Sequence, residues 1–121
     1  MNRTQSISFQ GKNIFYMDFS NLKSEQEIKS VIDESKSFIH KQAQASAISL
    51  ANIEGMHFNS QIRDLFQDFV KANKPYMKAS AIIGVSGLKQ MVFNGIMKMS
   101  GRDVKSFDSE NQAKVWLASH H

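Results

Sequence analysis

The stretch Asn73-Lys-Pro-Tyr-Met-Lys-Ala-Ser-Ala-Ile-Ile-Gly-Val-Ser-Gly87 decides how this chain is to be read. Pro75 has no backbone N–H and disfavours helical geometry at Lys74, so a helix arriving from upstream has to stop near Asn73. From Tyr76 to Val85 the chain carries Ala79, Ala81, Ile82, Ile83, Gly84 and Val85, with no charge after Lys78. Such a run suits an interior strand covered on both faces, as in a parallel sheet. Ser86 and Gly87 then form a tight turn, and apolar residues at helical spacing resume at Leu88. Helix, strand, helix is the repeating grammar of an α/β fold.

Working towards the N-terminus, Ile62, Leu65, Phe66, Phe69 and Val70 recur at i, i+3, i+4, i+7 and i+8, the stripe of an amphipathic helix capped by Asn59 or Ser60. Ala47 to Ala51 is a short apolar run between polar stretches and predicts a buried strand, with a loop from Asn52 to His57 after it. Ser24 with Glu27 is a capping box. It opens a helix to about His40 on which Ile28, Val31, Ile32, Ser35 and Ile39 face one way. Before it, Ile7 and Phe9 alternate with polar residues, Gly11, Lys12 and Asn13 supply turn chemistry, and Ile14 to Phe19 follows: a β-hairpin.

Towards the C-terminus, Leu88, Met91, Val92, Gly95, Ile96 and Met99 predict a third helix closed by Gly101, then a strand at Val104 to Phe107. Ser109 with Gln112 caps a last helix with Ala113, Trp116 and Leu117 inward. The order is β-β-α-β-α-β-α-β-α: a mostly parallel sheet with an antiparallel N-terminal edge hairpin. With 121 residues, one domain is expected, its ordered core about 5–118.

Composition narrows the chemistry. There is no cysteine, which removes disulfides, thiolate metal sites and cysteine nucleophiles. No metal set or cofactor motif is found, and no Ser/His/Asp order or paired-carboxylate arrangement can be defended, so no enzymatic role is expected. The N-terminus lacks the apolar stretch of a signal peptide, and a cytoplasmic location is the expectation. His120 and His121 are given no role. The formal charge of +4 comes from one segment: residues 71 to 105 hold Lys71, Lys74, Lys78, Lys89, Lys98, Arg102 and Lys105 against Asp103 alone. Without interleaved aromatics or a nucleic-acid signature, this block points to an acidic protein surface, a small anionic ligand or an anionic membrane, and not to nucleic acid.

Two places stand out as candidate sites. The Gly84-Val85-Ser86-Gly87 turn offers backbone N–H groups at a helix N-terminus, with Lys89 beside it and His57 at the mouth of a neighbouring βα loop, the side of an α/β sheet where ligands sit. On the third helix, Phe93 and Met97 fall about 140° and 180° from Leu88, away from the stripe assigned inward. With Lys98 they predict an association surface for a partner, an anionic membrane or a weak homodimer.

The hairpin followed by three strands and four helices, the helix start Phe58-Asn59-Ser60-Gln61-Ile62, and the block from Asn73 to Gly87 together resemble the STAS domain. The resemblance is nearest to bacterial STAS-like proteins grouped with anti-sigma factor antagonists and with the Sec14-like lipid-binding fold. It covers about residues 5 to 118. It implies a non-enzymatic regulatory module whose partner is another protein, an anti-sigma factor or serine kinase. In antagonists, a serine at the start of the second helix is phosphorylated by the partner kinase, which ends binding. The family's Asp-Ser-Ser-Gly aligns with Asn59-Ser60-Gln61-Ile62, and the serine that matches is Ser60. A lipid or small anionic ligand is the alternative implied.

Overall fold

The computed structural model describes residues 3–85, 88–100 and 104–120, with backbone only at 88, 92 and 97–100. The elements are β1 (Thr4–Phe9), β2 (Lys12–Asp18), α1 (Glu25–Ile39), β3 (Ala47–Asn52), α2 (Ser60–Asn73), a 3-10 turn (Lys74–Tyr76), β4 (Met77–Ile83), α3 (Leu88–Ser100), β5 (Val104–Phe107) and α4 (Glu110–Ala118). The capping logic is realised in each case. Ser24 accepts from the Glu27 N–H at 3.1 Å, Asn59 from Ile62 at 2.9 Å, and Ser109 from Gln112 at 3.2 Å. Pro75 sits within the 3-10 turn that ends α2, and β4 leaves it two residues later.

The five strands lie in the order β1-β2-β3-β4-β5. β1 and β2 are antiparallel, and every later pair is parallel. Each crossover therefore steps one strand in the same direction. A constant hand of crossover then puts its helices on one face. Phe15, Met17, Ala51 and Ile82 do pack on that face with Ile28 and Ile32 of α1, Ile62, Phe66 and Phe69 of α2, and Phe93 and Ile96 of α3. On the other face Ile14, Ile48, Leu50, Ala79, Ala81 and Ile83 pack against Ala113 and Leu117 of α4. Trp116 is half-buried over Phe107, ring centroids 5.4 Å apart.

α3 corrects one sequence expectation. Phe93 does not face outward: it is 1% exposed, packed on Phe66 at 5.4 Å and Phe58 at 5.6 Å between ring centroids. Met91, assigned inward from spacing, is 75% exposed, and Gly95 is exposed too. The helix carries apolar residues around most of its circumference, so spacing alone permits more than one inward face. The face adopted is the one that sets an aromatic ring against two others, and such pairs add to plain burial. Met97 and Lys98 belong to α3, but their side chains lie outside the described residues.

Candidate functional site

The C-terminal ends of the parallel strands gather four of the residues singled out from sequence, His57, Ser60, Gly84 and Lys89. α2 starts there, and its first residue is Ser60, not its cap. Asn59 is the N-cap, with extended backbone and its amide oxygen on the Ile62 N–H. The Ser60 hydroxyl is thereby released from capping. It is exposed, and among the described residues its hydroxyl makes one hydrogen bond, a long 3.5 Å approach to Oε1 of Gln61. No acidic residue lies in the first turn of α2, so the positive end of this helix is unopposed by its own side chains.

His57 stands next to this helix start. It is exposed, its ring Nε2 lies 3.3 Å from Asn59 Nδ2, and its backbone N–H donates to Leu22 O at 2.8 Å. The loop it belongs to is held by two lysines. Lys23 Nζ donates to Gly55 O at 3.0 Å, and Lys89 Nζ, from the first turn of α3, reaches Ile53 O at 3.4 Å. Burial lowers the Lys89 pKa from its ordinary 10.5, and the Lys23 charge lowers it further. The sequence singled out Lys89 but missed Lys23, which sits in no motif and is recruited by the fold alone.

Gly84 has a defined structural duty at this edge. Its φ is +86°, and a Cβ there would sit 2.4 Å from the Glu54 backbone nitrogen. Only glycine lets the β4–α3 loop lie against the β3–α2 loop so closely. Ser86 and Gly87, the rest of the candidate anion turn, lie outside the described residues. His57, Ser60, Gly84 and Lys89 thus share one edge of the sheet. Among the described residues no group of three His, Cys, Asp or Glu residues able to hold a metal occurs, and no helix is long and apolar enough to cross a membrane.

A second feature lies elsewhere. Between the sheet and the helices α2 and α3 is a cavity of about 200 Å³, lined by Ser49, Ala51, Phe66, Phe69, Ser80 and Phe93 among others. It does not border Gly84 or His57. Its inner end is buried at Met17, Ile53, Phe66 and Phe93, while Val70, Lys74, Lys78 and Val104, which have more exposure, line the outer end. The opening is therefore at the N-terminal ends of β4 and β5. The cause is side-chain size: Ser49 and Ser80 are paired across β3 and β4, their hydroxyls 3.2 Å apart, and Ala51 follows on the same face. The alternation of small residues on one face of two interior strands was the available signal, masked in sequence by its likeness to ordinary close packing.

A solved structure of an anti-sigma-factor antagonist (STAS) domain protein from Planctomyces limnophilus superposes with a TM-score of 0.65, covering 96% of this chain and 98% of that one. The fold is STAS-like. Sequence identity to that protein is 18%, so the likeness is one of architecture. No protein-family model matches the chain, and no curated protein matches it. An antiparallel hairpin leading an otherwise parallel sheet is the arrangement the sequence pattern predicts, and STAS is the family the sequence resembles.

Proposed function

We propose that this STAS-like protein is a non-enzymatic regulatory module that binds another protein through the surface around the start of α2, and that the state of Ser60 sets that binding. The exposure of Ser60 at the first helical position, with capping delegated to Asn59, is the observation that carries the reading. A serine needed as a cap would have its oxygen committed to a backbone N–H. Here the hydroxyl is open to a kinase. A phosphate on it adds between one and two negative charges, which the helix N-terminus stabilises, so the modified protein keeps its fold while its surface changes sign. Loss of partner affinity then comes from charge at the interface and not from unfolding.

The architecture shared with an anti-sigma-factor antagonist domain protein supports the regulatory class. The test compares three baits in the native cell extract: wild type, Ser60→Ala and Ser60→Glu. A partner held by wild type and Ser60→Ala and released by Ser60→Glu is expected, with phosphate mapped to Ser60 by mass spectrometry of the endogenous protein. Identical partners on all three folded baits would overturn the reading.

A further inference from the structure

The cavity under α2 and α3 has the character of a ligand site, and we infer that it takes a small anionic amphiphile, a medium-chain carboxylate, with the chain inside and the carboxylate at Asn73 and Lys78. The inference is independent of Ser60, which lies at the other end of the strands.

Size comes first. An engineered cavity of roughly 150 Å³ lined by Leu, Ile and Phe stays dry and holds benzene, while drug-sized ligands occupy roughly 300–1,000 Å³. At about 200 Å³ this cavity fits a chain of roughly six to ten carbons and is too small for a two-chain lipid. Its depth is apolar, walled by Ile53, Phe66, Phe69, Ile82 and Phe93. A void of this size forfeits packing that larger residues at Ser49, Ala51 or Ser80 would supply, which is a standing cost to the fold.

The charge in the lining is confined to one end, and it has one sign. Lys74 and Lys78 line the opening, and no Asp or Glu is among the lining residues. Asn73, 4% exposed, also lines the cavity; its Oδ1 accepts from His40 Nε2 at 3.0 Å. No hydrogen bond engages its Nδ2 among the described residues. Every described side-chain nitrogen or oxygen that is sealed from solvent has a partner, so this unbonded donor keeps some access to solvent, and Asn73 is one of the residues that line the cavity. A buried donor without an acceptor beside a lysine, above an apolar chamber, is complementary to a carboxylate on a short alkyl chain. A cationic amphiphile would meet like charge there, and a neutral alcohol would leave Lys78 unpaired.

The experiment is calorimetric titration and thermal melting of the full chain with octanoate, octan-1-ol and octyltrimethylammonium. Octanoate is expected to bind saturably and raise the melting temperature, octan-1-ol to bind about tenfold or more weakly, and the cation not to bind. Lys78→Gln should bring octanoate down to the level of the alcohol. Ser80→Leu, which fills the chamber, should abolish binding while the protein stays folded by circular dichroism. If Ser80→Leu does not fold, Ala51→Val serves the same purpose. Failure of octanoate to bind the folded wild type would overturn the inference, as would equal binding of all three compounds that survives Ser80→Leu. Ser60→Glu should leave octanoate affinity unchanged, which separates this result from the partner test.

Discussion

Two adjacent residues, Asn59 and Ser60, divide the labour at the start of α2, and the division is measurable. Asn59→Ala removes the acceptor of the Ile62 N–H and is expected to cost about 0.5–2 kcal/mol in urea denaturation. Ser60→Asp places a negative charge on the unopposed helix end and is expected to stabilise by about 0.3–1 kcal/mol, less at high salt. Were Ser60 itself the cap, Asn59→Ala would be nearly neutral, because Asn59 would then hold no backbone N–H. Lys89 makes a second residue-scale prediction. Its pKa lies below 10.5 in the folded protein, so between the folded value and 10.5 the unfolded chain binds more protons, and stability rises with pH through that window. Below the folded value the cost of partly burying the charge near Lys23 is fully present. Lys89→Met should therefore flatten the alkaline rise in stability and raise the melting temperature near neutral pH, both readable from melts across pH.

At the scale of the element, α3 is where the inward face has to be tested. Phe93→Ala is expected to lose about 3–5 kcal/mol, because the ring is buried against Phe58 and Phe66. Met91→Ser, on the exposed side, should change stability by less than about 0.5 kcal/mol. Urea melts of the two variants decide between the faces. The other elements were legible because their patterns admit one reading: Ser24 with Glu27 starts α1, Pro75 stops α2, and the run after Lys78 has no charged residue to place outward. α3 has apolar residues at nearly every angle, so its phase is decided by which ring meets which ring across the core. That is tertiary information. The candidate site divides in the same way. Ser60 could be named from its place before an amphipathic run, whereas Lys23, Asn73 and the chamber over Ser49 and Ser80 exist only once β3, β4, α1 and α2 are assembled.

For the whole molecule, the two ends of the sheet carry separate chemistry. Ser60 and His57 stand at the C-terminal ends of the strands, and Asn73, Lys74 and Lys78 at the N-terminal ends of β4 and β5. α2 spans the distance, with Ser60 as its first residue and Asn73 as its last. A rigid helix in one position transmits nothing by itself. Octanoate is accordingly expected to leave partner affinity at Ser60 unaltered, and a competition binding assay with saturating octanoate checks this. A change in partner affinity would mean that α2 has two seats on the sheet.

The unbroken strand order β1-β2-β3-β4-β5 bears on how the molecule comes into being. Every strand pairs with its predecessor in the chain, so no pairing waits for a segment that has not yet been made. During synthesis the hairpin can form first, and each later helix and strand adds to an edge already present. Such an order keeps loop closures short, which favours fast folding for a parallel sheet. It also leaves a growing edge open until β5 docks, and until α4 arrives Leu50, Ala79 and Ala81 are uncovered. A nascent chain stalled before residue 104 would then be the aggregation-prone species, with an open strand edge and an uncovered apolar face.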